Sequence, residues 1–562
     1  MRTHMNTLAL LTTLGAGIAL STSPHAQVQM FHTSDSCVAC HNGLTAPTGE
    51  DVSIGFSWRS SMMANAARDP YWHAGVRRES MDHPKAQAAI EHECSTCHMP
   101  MDHYQAYAQG QKGQVFANLP AGAANTPGAL LAADGVGCAL CHQIGPGKLG
   151  TRESFVGGFV IDTAKPLGQR EVYGPYDVEA GLAKLMGSAA ELNPVKGEHM
   201  QRSELCATCH TLFTHTLGPN GESIGTLPEQ VPYLEWEHSA YKDQQSCQDC
   251  HMPVVDGETP ISSVLGEPRE HFSRHRFRGG NFFMPALFNR HAAELGVQSL
   301  PQELDATSRS AADHLRTSAA RLDIEETAIR DGHLEATLAI ANLAGHKLPS
   351  AYPSRRVWLH LTARDASGAV LFESGALSAE GSIQGNDNDA DPARYEPHHQ
   401  VITDPQQVQI YEVIMGDRDG DVTTGLLSGL RYLKDNRVLP SGFDKVSASD
   451  DVAVHGAAEG DADFSEGGDR VRCRIPIDDA AGPLRLEAEL IYQPIGFRWA
   501  ENLRDYDADE PRRFVGYWEE MRAASSVILA RADAAVKRPR IAPAPEPAPE
   551  PEPAAKAEES AR

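Results

Sequence analysis

The hydrophobic and polar positions of this chain change rhythm twice. Near the N-terminus an unbroken apolar run extends from Leu8 to Leu20 and is followed by small residues ending at Ala26. Arg2 gives the start a positive charge. This pattern predicts a secretory signal peptide over 1–26, cleaved after Ala26. The run is too short to span a bilayer. From there to about residue 300 no single period persists, and short apolar segments alternate with Gly- and Pro-rich stretches. Such a segment predicts short helices joined by long loops. ELDATSRSAADHLRTSAARL (303–322) then reads as one helix, a connection assigned to 301–321.

From Leu322 the period becomes two. HLEATLAIANL puts Leu334, Ala336, Leu338 and Ile340 on one face, after a turn at Asp331-Gly332. VWLHLTARDASGAVLFES aligns Val357, Leu359 and Leu361 and reads as a hairpin, and VRCRIPI and LRLEAELIY read as two more strands. Several short strands with turn signals predict an antiparallel β-sandwich over 322–500. Pro511 opens PRRFVGYWEEMRAASSVILARADAAV, which predicts an amphipathic C-terminal helix within 501–537. The remainder, 538–562, is dominated by Pro, Ala and Glu, and predicts a disordered tail. The fold class expected is therefore α+β and multidomain: a helical, loop-rich region over 27–300, then the sandwich, then a helix.

The chemistry lies in the region without a period. CVACH, CSTCH, CALCH, CATCH and CQDCH begin at Cys37, Cys94, Cys138, Cys206 and Cys247. Ten of the eleven cysteines belong to these motifs. At this Cys and His content, chance would supply about 0.01 such pentapeptides in the chain. Two thiols three positions apart add across the two vinyl groups of one porphyrin, and the adjacent histidine lies under the iron. Zinc sites need converging thiolate pairs and give no reason for a histidine after every second cysteine. A redox CxxC would occur once. The expected cofactor is five covalently attached haem c. Their thioether residues are Cys37, Cys40, Cys94, Cys97, Cys138, Cys141, Cys206, Cys209, Cys247 and Cys250. Their proximal ligands are His41, His98, His142, His210 and His251. The remaining thiol, Cys473, alternates with Val471 and Ile475 and reads as a small buried hydrophobe.

The second axial ligand decides whether a haem carries electrons or binds substrate. Of 25 histidines, 20 lie outside the proximal positions. His199, just before CATCH, His275, just before Gly279-Gly280, and His346, in AGHKLPSAYPSRR, are the favoured distal ligands. Met62 and Met63 are further candidates, either as ligands or as core packing against Trp58. Lys347, Arg355 and Arg356 would suit haem propionates.

The formal charge is −26, and about ten propionates would add to it. Nucleic acid is thereby excluded as a partner, and other redox proteins are expected. With the apolar leader removed, nothing in the chain is long enough to span a membrane. A soluble periplasmic protein is expected, with an extracellular location or peripheral association with a membrane complex as the variants.

SSMMANAARDPYW, ECSTCHMPM, GVGCALCHQI, SELCATCHTL, LEWEHSAYKDQQSCQDCHMP and HRFRGGN resemble multihaem c-type cytochromes of the nitrification tetrahaem cytochrome and hydroxylamine oxidoreductase lineage. GHKLPSAYPSRRVWLHLTARDASG is similar to a β-domain found in large exported multihaem cytochromes. The resemblance implies electron transfer in an exported respiratory chain, through closely stacked haems. The chain departs from related nitrite reductases, because every motif ends in His and none in Lys. It also lacks the histidine that relatives carry after Trp-x-x-Ser: Trp58 leads to Ser61, Met62 and Met63, and Trp236 to Ser239 and Tyr241. A carrier is the expected function. An oxidoreductase with one open haem acting on a small nitrogen or sulfur oxyanion is the alternative, and a subunit whose β-sandwich docks a partner reductase is a third.

Overall fold

A computed structural model describes residues 29–477 and 483–537. The expected leader 1–26 and tail 538–562 lie outside the described residues.

In the first region the helices are short. The motifs sit on, or directly after, the segments Asp35–Val38, Gln87–His98, Cys138–Cys141, Ser203–Ala207 and Cys247–His251. The longest helix before residue 300 among the described residues is Pro70–Asp82. Its start is set by Asp69, whose carboxylate accepts from the backbone N–H of Tyr71 and Trp72, with Pro70 at the first helical position. Buried apolar residues here form several small clusters, one around Val76, Ile90 and Met99 and another around Phe31, Met101 and Leu140. A polypeptide that divides its core in this way leaves much apolar surface facing the space between clusters.

Helix Pro301–Ser318 leads directly into the sheets. One has the order Val401–Ile402, Gly468–Pro476, His333–Asn342, Ala320–Arg330. Its three long strands are antiparallel, and Val401–Ile402 joins the edge in parallel. The other runs Val370–Ser374, Arg356–Arg364, Leu484–Gln493, Val527–Val536, with Ile410–Tyr411 also paired to Arg356–Arg364. The Asp331-Gly332 turn has positive φ at both residues, 46° and 73°, the two-residue hairpin geometry that matches strand twist. Leu334, Leu338, Ile340, Val471 and Ile475 of the first sheet share one buried cluster with Leu359, Leu361, Leu486 and Leu490 of the second. Cys473 lies in the same cluster, 2% exposed.

The C-terminal expectation needs correction. The helix within 501–537 is Asp509–Met521 and stops there; Val527–Val536 is a strand paired with Leu484–Gln493, so the sheet continues past residue 500. Val527 and Leu529 are buried at the start of this strand, and further along it Arg531 and Asp533 are exposed, with half-buried Ala530, Ala532 and Ala534 around them. The strand's core contacts outweigh the helix propensity of its alanines.

The two regions are bolted together by charge. Arg77 makes a two-pronged ion pair with Glu510, Arg59 another with Glu303, and the Glu79 carboxylate accepts from the backbone N–H of Leu426 and Leu427. Helix Pro70–Asp82 thus lies between the motifs and the C-terminal elements.

Candidate haem sites

Nine of the ten motif cysteines, all but Cys40, and all five motif histidines line one cavity of about 1170 Å³. Its other walls come from helix Pro70–Asp82, from segment 272–281, from helix Pro301–Ser318 and from the loop 343–355.

Four of the five motif histidines have a common arrangement. The Nδ1 of His41, His98, His142 and His251 lies on the carbonyl oxygens of Ile261, Ala66, Tyr173 and Arg278, at 2.6, 3.1, 2.6 and 2.6 Å. A ring whose Nδ1–H donates to a carbonyl presents Nε2 as a lone pair, the form a metal needs. Burial pushes His98 and His251 down to about 4, so both are neutral at neutral pH. His210 differs, since neither of its nitrogens has a hydrogen-bond partner among the described residues. Burial lowers its basicity, and Arg355 lowers it further.

Three further histidines line the cavity: His275, His314 and His346. His275 places Nδ1 on the carbonyl of Ser273 at 3.0 Å, and His346 places its own on Lys347 at 2.9 Å. Both therefore present Nε2 in the way the motif histidines do. The His142 and His275 rings are 6.3 Å apart and 18° from parallel; His251 and His346 are 6.3 Å apart and 11° from parallel. Two imidazoles on one metal have centroids about 6.4 Å apart, from a metal–nitrogen bond of about 2 Å and a ring half-width of about 1.2 Å. The separations fit an iron between each pair. His314 also lies 6.1 Å from His251, at 70°, but its Nδ1 is buried without a partner. Sequence reasoning passed over it because its helix pattern reads as an ordinary exposed position.

His199 does not line the cavity. It is buried, and its Nε2, the nitrogen an iron would need, lies 2.9 Å from the carbonyl of Ile144. Met62 and Met63 do line it. Of the cations expected at propionates, only Arg355 faces the cavity. Lys347 is 0% exposed and pairs with Asp435 at 2.7 Å, and Arg356 pairs with Asp389 at 2.7 Å. Each has a buried carboxylate near at hand, which a buried cation requires. Glu235, from the motif region, joins the Lys347 group: it accepts from the backbone N–H of Lys347 and from Ser350 Oγ, and pairs with Arg437. This network holds the His346 turn against the motif region.

The motifs also meet one another. The Cys37 thiol faces Cys138, Cys97 faces Cys209, and Cys206 faces Cys247. Cys141 is close enough to Cys209 for mutual electrostatic influence. Thiol pairs, Nε2 lone pairs and the shared apolar space form a donor set built for five covalently attached haem c groups.

A pentahaem cytochrome c552 from Thermochromatium tepidum has a similar structure, with a TM-score of 0.51 over 91% of this chain and 100% of that one, at 17% sequence identity. At that identity the likeness is one of fold. No protein-family model matches the chain, and no curated protein matches it.

Proposed function

We propose that this chain is an exported pentahaem cytochrome c that passes electrons between redox proteins, and that its five sites form one continuous route. The observation that carries the reading is the contact between motifs. CVACH meets CALCH through Cys37 and Cys138, and CATCH meets CSTCH through Cys97 and Cys209 and CQDCH through Cys206 and Cys247. CALCH approaches CATCH through Cys141 and Cys209. Cysteines in contact hold the edges of successive porphyrins together, and electron tunnelling depends steeply on edge separation. The route so described has CATCH at its branch point. When bound, haem c supplies a one-electron Fe(III)/Fe(II) couple at each site.

The chain's own residues do the rest. The backbone carbonyls of Ile261, Ala66, Tyr173 and Arg278 orient four proximal rings. With haem bound, His275 and His346 would serve as second ligands at the sites of His142 and His251. Helix Pro70–Asp82 and the loop 343–355 cover the sites and keep water from them.

The alternative, an oxidoreductase with an open site, also has support. Three further histidines line the cavity for five irons, and among the described residues no imidazole pairs across from His41, His98 or His210 at the required separation. Intact-mass measurement tests the haem count: the mature polypeptide plus five haem masses is expected. EPR of the oxidised protein then separates the readings. Only low-spin signals favour the carrier, and a high-spin signal favours the open site. Fewer than five haems in fully matured protein would overturn the pentahaem reading.

A further inference from the structure

One group of cavity-lining side chains is unused by the ligand set, and it consists of hydrogen-bond donors alone. The Arg355 guanidinium donates from Nη1 to the carbonyl of Ser350 at 3.0 Å and makes no ion pair among the described residues. Its arginine neighbour in the chain, Arg356, by contrast has Asp389. Tyr492, 2% exposed, ends in a buried hydroxyl with no partner. Both side chains line the cavity, and both point to the same place. A methyl group on Gly280 would stand 2.6 Å from Tyr492 Oη and 3.5 Å from Arg355 Nη1. The missing side chain of Gly280 is what keeps the space between these donors open. A methyl group on the adjacent Gly279 would stand 4.0 Å from His251 Nδ1, so the space lies beside the CQDCH site, in the cavity that all five motif histidines line.

A half-buried guanidinium without a carboxylate and a buried phenol without an acceptor are both costly. One ligand satisfies both: an oxygen anion small enough to fit where Gly280 leaves room. We propose that Arg355 and Tyr492 form a seat for such an anion, a carboxylate or a small oxyanion, which the β-region presents to the shared cavity. The proposal rests on the haem reading above. Two sources share the chemistry. One is a propionate of the haem at CATCH or CQDCH; the other is a free oxyanion, for which nitrite is the probe. His210, which lines the same cavity with no imidazole ring paired with it among the described residues, leaves the second source room.

The test uses the five-haem holoprotein and its Arg355→Gln and Tyr492→Phe variants, each first checked by intact mass for all five haems. That check isolates the haem reading: if the parent lacks five haems, the reading fails before the seat is tested. Nitrite is titrated into each oxidised protein and followed by its Soret spectrum and EPR, and each protein is titrated potentiometrically. If the anion is free, the parent responds saturably, and each variant binds about tenfold more weakly or worse, the loss expected for one charge-assisted or buried hydrogen bond. If the anion is a propionate, nitrite has no effect, and one haem potential falls in Arg355→Gln and shifts less in Tyr492→Phe. Either result supports the seat. If both variants match the parent in nitrite response and in every potential, the proposal is wrong. Should Arg355→Gln not mature, the nearly isosteric Tyr492→Phe decides alone.

Discussion

Single side chains divide here between those that line the shared cavity and those that hold other side chains in place. His346→Ala should convert one low-spin EPR signal to high spin, and His275→Ala a different one. His199→Ala should leave the spectrum unchanged, because that ring does not line the cavity and its Nε2 is committed to the Ile144 carbonyl. Gly345 and Pro349, on either side of His346, mark the turn that brings it to the cavity wall, and this was legible in the sequence. The place of His199 beside CATCH along the chain gave no sign that its Nε2 lies on the Ile144 carbonyl. Glu235→Ala should cost about 3–5 kcal/mol in chemical unfolding, the usual loss when one partner of a buried charge group is removed. It should also broaden or lose the His346-linked signal, because Glu235 tethers that turn.

A second buried group gives a pH prediction. His398 lies 3.0 Å from Asp461 and 3.9 Å from Asp469, with all three buried. The arrangement is poor for a metal. Gln409 and Asn436 both direct their amide N–H at His398 Nδ1, and each is held that way by a backbone N–H on its oxygen. Nε2 must therefore carry the proton, which it gives to Asp461. Burial raises Asp469 from 3.8 to about 7 and lowers His398 from 6.5 to about 4. Asp469 contributes stability that is whole below 3.8 and lost as pH rises through 7. His398 contributes stability that is whole above 6.5 and lost as pH falls through 4. The two slopes oppose each other over the same window. Asp469→Asn removes only the first, so its unfolding free energy should climb between about pH 4 and 6.5 more steeply than the parent's. Urea unfolding at several pH values checks this, and parallel profiles would contradict it.

At the scale of elements, the sheets were legible wherever a two-residue period met a recognisable turn. HLEATLAIANL and LRLEAELIY lie in strands with the inward faces the alternation implies. VILARADAAV was not legible: its apolar residues satisfy a helical and an extended period equally, and its alanines favour helix. Pairing with Leu484–Gln493 decided it, and that is a long-range fact. The change in burial along this strand makes a simple contrast. Leu529→Ala should cost about 2–4 kcal/mol, as for other buried leucines. Arg531→Ala, exposed and paired with Glu489, should cost no more than about 1 kcal/mol. The helices of the motif region were illegible in detail because their apolar faces turn toward cofactor, not toward other helices, so no 3.6-residue stripe forms.

For the whole molecule, the five pentapeptides carried nearly all that the sequence could say about the site. What it could not say was which motifs meet, because thiol contacts such as Cys37 with Cys138 join positions far apart along the chain. The acidity gives one prediction at this scale. With a formal charge of −26, electron transfer to a basic single-haem cytochrome c should slow severalfold between about 10 and 200 mM salt. A stopped-flow series would show it, and a rate independent of salt would mean that the docking face is not part of the acidic surface.

The order of parts along the chain also bears on how the molecule is made. Every covalent attachment point precedes residue 252, whereas His346, Arg355, Tyr492 and helix Asp509–Met521 all follow it. The bolts that close the cavity, Glu510 on Arg77 and Leu426 and Leu427 on Glu79, use partners from that later part. A chain emerging N-terminus first thus displays all its thiol pairs to the attachment machinery before the lid exists. A circular permutant beginning near residue 301 would present the lid first, and should mature with fewer than five haems.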